Sequence, residues 1–378
     1  MPALLNSRSP ARLHAGPFVL AIAVSLALVL SAPFVGQIRG ELRRAFPGQF
    51  VTIVGSVIAA GVIAAVGAAL LRIRDRRLVR YGTIGLAVLV AAAYSAYRAG
   101  PNPESNAVER FHFLQYGLIT YLFYRAWRPL GDAAIFVLPI FAGLLVGTVE
   151  EWFQWFIPNR VGEMNDVFLN LVAIGTGLLF SVAVDPPEGG ARGLRPDSRP
   201  RIGRMAAAAL VAFAAFFHIV HLGDRIDDEE VGAFTSRWSR SALLEAQGAT
   251  RAAWKVSPPP VTLVRLSREN QYLTEGIQHV RERNRLWEAG DVRGAWFENR
   301  ILEKYYEPVL ETPTHEGPGH RWPPEQRADA ELRATTGAAT PYRSNAYPYQ
   351  LFLWSKVTFW LVIGIVAVAT LIGMERRR

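Results

Sequence analysis

The chain contains no cysteine, so disulfide bonds and thiolate chemistry are excluded. Lysine is nearly absent: only Lys255, Lys304 and Lys356 accompany the arginines in a basic set of 41 residues. Also missing are a glycine-rich phosphate loop, a nucleophile-elbow serine and an HExxH zinc motif. Those gaps remove nucleotide hydrolases, α/β-hydrolases and zinc proteases from consideration. What the chain has in abundance is apolar sequence, at 51% of 378 residues.

Apolar runs occur at about 17–38, 50–71, 81–97, 111–127, 133–156, 166–184, 205–222 and 351–373. Each is close to the ~20 residues that span a bilayer as a helix. The expected fold class is therefore all-α: a polytopic membrane bundle of about eight transmembrane helices. One polar block, 223–350, interrupts the runs, and its capping and turn residues predict a helical extracytoplasmic domain between the last two spans. The organisation reads as a six-helix membrane bundle at 1–184, a linker rich in Arg, Pro and Gly at 185–204, and a span at 205–222. The polar domain at 223–350 and a last span with a basic tail at 351–378 follow. Within that domain, Asp227 and Asp228 are expected to cap a helix reaching Gln247. Gly290-Asp291 is expected to turn between two helices.

The net charge of +9 is unevenly placed. The polar block is slightly acidic, which argues against nucleic acid, and the excess of arginine sits in short loops. Arginines cluster at 72–80, 125–128, 192–204 and 376–378. With eight spans these clusters share one side, and the positive-inside rule makes that side the cytoplasm. Both termini are then cytoplasmic and 223–350 lies outside. The loop expected at 38–49, with Arg39, Arg43 and Arg44, is external against the rule.

Ionisable residues inside apolar spans are costly and mark interior or functional positions. Glu109, His112 and Tyr116 fall at helical spacing on one segment. Glu150, Glu151 and Gln154 fall on the next, and Asp166 and Asn170 on the one after, with Arg160 in the short loop between. Glu150 is 17 residues beyond Ala133, or about 26 Å along a helix. All these groups therefore gather at the outer membrane face. Three readings stay open. The cluster is interhelical hydrogen-bonding glue. Alternatively it is an acid/base site in which a carboxylate orients His112 and Arg160 binds an anion. The third is a metal site built on Glu109-x-x-His112. His218 and His221 lie near the outer end of the seventh run and are candidate additions.

The strings Glu109-Arg110-Phe111-His112-Phe113, Glu151-Trp152-Phe153-Gln154 and Arg160 with Asp166 and Asn170 resemble the VanZ-like family over about 80–184. The resemblance implies a bacterial cell-envelope protein, with glycopeptide antibiotic tolerance as an expected association. It implies that Glu109, His112, Glu151, Gln154, Arg160, Asp166 and Asn170 form the working site. The expected ligand is a lipid-linked or cell-wall-proximal anionic substrate. The alternative is a non-enzymatic assembly protein whose external domain binds another envelope protein. The sequence names no particular cofactor, and the metal reading stays open.

Overall fold

The computed structural model describes residues 13–155, 157, 162–187, 193–258, 269–314, 317–334, 341–347 and 351–375. Among these residues the chain forms thirteen α-helices and one two-stranded hairpin, an all-α polytopic architecture. It divides into two compact units: Met1–Phe153 with Glu163–Ala214 and Leu361–Arg378, and Gln154–Gly162 with Ala215–Trp360.

Seven helices have the length and apolarity to cross a membrane. They are α1 (Ala15–Ala45), α2 (Phe50–Arg72), α3 (Arg77–Arg98), α5 (Ala134–Gln154), α6 (Met164–Val184), α7 (Arg199–His221) and α13 (Lys356–Glu375). The chain is a multi-pass membrane protein. Helix α4 (Pro103–Trp127) is equally long, with 25 residues, but carries Glu104, Glu109, Arg110, His112 and Arg125. It packs against α1, α2, α3 and α6, so it presents less surface to lipid and needs less apolarity. Helix α2 is the opposite case: Val57, Val62, Ile63, Leu70 and Leu71 are all exposed, as a lipid-facing helix requires.

Polar contacts at each end fix the helix directions. At one end Arg80 donates to the carbonyls of Ala183 (2.6 Å) and Val184 (2.8 Å), capping α6. There the Tyr124 hydroxyl also donates to the Asp185 carbonyl at 2.7 Å, and Arg72 to the Tyr121 hydroxyl at 2.6 Å. The side chain of Asp132 accepts from the Arg195 amide at 3.0 Å at the same end. At the opposite end Arg39 pairs with Glu104 at 2.7 Å. So α1, α3 and α5 run one way and α2, α4 and α6 the other.

The expected 38–49 loop is a correction. Helix α1 continues through it to Ala45, placing Arg39 and Arg43 one turn apart. Both reach Glu104, in the first turn of α4, and Arg44 pairs with Glu41 at 2.6 Å. The arginines that sit against the charge rule are thus paired with carboxylates at their own end of the bundle.

The second unit begins with the antiparallel hairpin β1 (Asp224–Asp228) and β2 (Gly232–Ser236). This corrects the helix expected from Asp227. The Asp228 carboxylate accepts from the amides of Glu230 (2.9 Å) and Val231 (3.3 Å), folding the chain into a turn rather than a helix. Gly232 closes that turn at φ +85°, a backbone conformation suited to glycine. Ser239, not Asp227, caps the following helix α8 (Arg240–Val256). Helices α9 (Glu269–Glu288) and α10 (Val292–Tyr305) form the hairpin around Gly290, and Asp291 caps α10 by accepting from the Gly294 amide at 2.9 Å. Helix α11 (Glu307–Glu311) and helix α12 (Pro324–Ala334) complete the unit. Its core joins Phe234, Leu243, Trp254, Tyr272, Ile301 and Tyr306. The 341–347 segment lies along β2, with the Ala233 amide donating to the Tyr342 carbonyl at 2.9 Å and the Ser344 amide to the Ala233 carbonyl at 2.8 Å.

Candidate functional site

Three helix termini of the first unit supply the site. Helix α3 ends on Arg98, a cation at the C-terminal, partly negative end of a helix. Helix α4 starts cleanly because the Asn102 side chain accepts from the Glu104 amide (3.0 Å) and the Ser105 amide (3.3 Å), with Pro103 following. That start places Glu109 and His112 in its second and third turns. Helix α6 starts at Met164, with Asp166 in its first turn where the helix dipole favours an anion.

The outer layer is charged and half-exposed. Arg98 lies 4.0 Å from Glu109 and 4.0 Å from Asp166, between the two carboxylates. Below it, His112 and the fully buried Asn170 are joined, Nδ1 to Oδ1, at 2.8 Å. A carboxamide oxygen only accepts, so Nδ1 carries a proton, and Nε2 is the nitrogen left to take or give one. The His112 ring stacks on Tyr116 at a centroid distance of 6.2 Å. The innermost layer is sealed. The buried Tyr116 hydroxyl donates to Glu150 at 2.5 Å. Glu151, also fully buried, accepts from the Glu163 amide at 3.3 Å.

Of the residues expected from sequence, the structure brings Glu109, His112, Asp166 and Asn170 together, and Glu151 accepts from the residue that precedes α6. Gln154 is buried at the last residue of α5 and falls in the second unit. Arg160 lies outside the described residues. His218, also in the second unit, accepts from the Trp360 indole at 3.2 Å. Arg98 was missed, because it ends an apolar run and reads as a loop residue. One signal was available: it is an arginine remote from every arginine cluster that fixes the orientation. Gly147 was missed as well. A side chain there would meet Asn170 at 3.1 Å and the Tyr116 hydroxyl at 3.2 Å, so glycine lets α5 approach both.

The cluster holds unfilled donors. Among the described residues Arg98 makes no hydrogen bond, although its Nε is buried. The Asn170 amide nitrogen and the Thr148 hydroxyl are likewise buried without partners. No group of three or more histidines and carboxylates stands ready to hold a metal among the described residues. Beyond Tyr116 the seam between α4 and α6 closes. Thr120, Thr176 and Ser181 bond back to carbonyls of their own helices at 2.7, 2.9 and 2.6 Å. Gly177 lies directly against the backbone of Gly117. Charged groups thus stand at the ends of this seam and not along it, as a surface site and not a transport path would have them.

Compared with known protein families, curated proteins and solved structures, the chain matches none.

Proposed function

We propose that the chain is a VanZ-like protein of a bacterial cytoplasmic membrane, whose carboxylate-rich end recognises or processes an anionic group on a lipid-linked or cell-wall-proximal substrate. The observation that carries this reading is Arg98: a planar fork of donors at the mouth of the cluster, with no hydrogen bond among the described residues. In this reading Arg98 clamps the anion, a role Arg160 is expected to share. His112 exchanges a proton through Nε2 while Asn170 fixes its tautomer. Glu109 and Asp166 hold Arg98 in place. Glu151 supports the start of α6 through the Glu163 amide.

The test compares Arg98→Gln, Arg98→Lys and His112→Ala with the parent in cells challenged with a glycopeptide antibiotic, with membrane abundance measured alongside. Arg98→Gln and His112→Ala are expected to abolish any tolerance the parent confers, at near-normal abundance. Arg98→Lys is expected to restore little, because lysine keeps the charge but loses the fork. Collapse of abundance in all three would make the cluster helix glue, leaving an assembly protein whose external domain binds a partner.

The proposed orientation puts both termini in the cytoplasm and residues 223–350 outside. Cysteines placed at the exposed Ser241 and Asp197 of this cysteine-free chain are expected to label oppositely with a membrane-impermeant thiol reagent. Labelling of Asp197→Cys alone from outside would invert the orientation.

A further inference from the structure

At the end of the first unit opposite the Arg98 cluster, a short turn joins α2 to α3 and carries charge to spare. Most arginines at that end have partners. Arg80 is buried and donates to the Ala183 and Val184 carbonyls and to Asp75. Arg125 and Arg128 pair with Asp185 at 3.8 and 3.2 Å, and Arg72 donates to the Tyr121 hydroxyl. Arg74, Arg76 and Arg77 differ. All three are exposed, and among the described residues their guanidiniums make no hydrogen bond or ion pair. The carboxylate of the turn, Asp75, is already held by Arg80. Three neighbouring cations are thus left without a counter-charge.

Two further observations bear on what meets them. Arg76 sits at φ +44°, the only non-glycine residue at positive φ among the described residues. That left-handed conformation crowds any side chain, and glycine adopts it without strain, so the turn itself does not favour arginine there. Beside the turn lies apolar surface. Ala69, Ile73 and Val184 form a small core where the ends of α2 and α6 meet, with Tyr81 and Ile84 of α3 packed against it. From there α2 packs mainly on α4, and α3 mainly on α6, rather than on one another. Helices joined by a short turn and packed on different neighbours diverge, and in a bilayer the surface they leave is covered by lipid. Leu70 and Leu71 before the turn and Leu78 and Val79 after it are all exposed, Leu78 at 93%.

We propose that the α2–α3 turn binds an anionic phospholipid. Arg74, Arg76 and Arg77 take the phosphate oxygens, and acyl chains cover Leu70, Leu71, Leu78 and Val79. Guanidinium forks pair bidentately with phosphate, and basic clusters at the ends of membrane helices attract acidic headgroups. A headgroup with its own cation gains less, because the turn offers that cation no free carboxylate. The lipid is therefore of the phosphatidylglycerol or cardiolipin type. The apolar surface beside the guanidiniums favours a lipid over a soluble phosphate. The site uses no residue of the Arg98 cluster.

The experiment titrates the full chain, delipidated in detergent, under native mass spectrometry with phosphatidylglycerol, cardiolipin, phosphatidylethanolamine and phosphatidylcholine. Glycerol phosphate is added as a soluble competitor. The two anionic lipids are expected to bind roughly tenfold tighter than phosphatidylcholine, with phosphatidylethanolamine close to phosphatidylcholine. Arg74→Gln, Arg76→Gln and Arg77→Gln combined are expected to remove that preference. Two single variants separate a site from diffuse positive charge. Arg76→Gly relieves the crowded backbone, so the thermal unfolding midpoint is expected to hold or rise. Its anionic-lipid binding is expected to fall about fivefold, the share of one arginine near a membrane surface. Arg125→Gln removes the same charge from the same end while Arg128 still holds Asp185, and is expected to leave the preference within about twofold. Absence of an anionic preference in the parent overturns the proposal. An equal loss in Arg125→Gln and Arg76→Gly overturns it too, since the preference would then follow net charge and not the turn. Displacement of the lipid by equimolar glycerol phosphate would overturn the lipid as the ligand.

Discussion

Each unit buries carboxylates beside tyrosines and a histidine, and the two treat them differently. In the second unit the buried glutamates Glu275 and Glu298 each accept from more than one donor. Glu275 accepts from the hydroxyls of Ser236 (2.7 Å), Tyr306 (2.7 Å) and Tyr347 (3.0 Å) and from the Arg237 amide (3.0 Å). Glu298 accepts from the buried His279 at 2.7 Å and from Tyr342 at 2.6 Å. Buried Arg283 donates to Asn299 at 3.0 Å and lies over the Trp322 ring; burial draws its guanidinium down to about 10 against the pull of Glu303 and Glu298. In the membrane unit, Arg98, Asn170 and Thr148 keep donors with nothing to bind. A filled network rigidifies a fold, whereas an unfilled one has room for a ligand. The second unit leaves the Trp254 indole N–H unfilled in its core, so the difference is not that one unit has leftover donors but that those of the first belong to the polar cluster itself.

If that contrast holds, the largest stability losses come from the filled network. Glu298→Ala leaves the His279 ring and the Tyr342 hydroxyl buried without their acceptor. Removing one member of a buried pair costs about 3–5 kcal/mol. Pulse proteolysis of the full chain across a urea series is expected to show a loss of that size. A loss below ~1 kcal/mol would mean that the network is not what holds α9 to α10.

Asp228 gives a smaller effect with a defined pH dependence. Burial works to raise its carboxyl, but hydrogen bonds from Tyr305, Lys304 and the Glu230 amide outweigh burial and hold it well below the usual range. Between the lowered value and the ordinary one near ~3.9, the unfolded chain binds the proton and the folded chain does not. The stabilisation is therefore complete above about pH 4 and fades as pH falls toward the folded value. Asp228→Asn is expected to cost roughly 1.5–3 kcal/mol at pH 7, the range for hydrogen bonds to a charged group. The gap between parent and variant should stay constant down to about pH 4 and narrow below it. A gap that widened on acidification would reverse the assignment.

How far the sequence reveals this arrangement depends on the kind of signal. Apolar runs gave the spanning helices directly, since length and apolarity are local properties. Even the polar helix α4 was visible from its run at 111–127. The site residues of α4 and α6 were legible because ionisable groups stand out against apolar sequence. Arg98 was not, because an arginine at the end of a run looks like any loop arginine until α3, α4 and α6 are packed together. The β1–β2 hairpin was missed for a related reason. Asp227-Asp228 is an equally good start for a helix and for a turn, and Gly232 decides in favour of the turn. The saturated network of the second unit was not legible at all. Glu275, His279 and Arg283 recur every four residues along α9, a spacing that on a soluble helix reads as a solvated face. Only Tyr306, at the junction of α10 and α11, and the tyrosines of the 341–347 segment show that it is core.

The smallest effect falls at Asn170, where the comparison is sharpest. Leucine there is close in size and removes two things at once: the acceptor for His112 Nδ1 and the amide nitrogen that has no partner. The first loss is small, because interhelical hydrogen bonds in membranes average about 0.6 kcal/mol and the half-exposed His112 retains access to solvent. The second change is a gain, since it removes an unsatisfied buried donor. Asn170→Leu is thus expected to move stability by no more than ~1 kcal/mol in either direction, in contrast to Glu298→Ala. At the same time it should weaken any tolerance the parent confers, because Asn170 fixes the tautomer through which His112 exchanges a proton. A neutral stability change together with weakened tolerance would separate site from scaffold. A loss of ~3 kcal/mol or more, the size expected for breaking a buried pair, would show that Asn170 ties α4 to α6 as firmly as Glu298 ties α9 to α10.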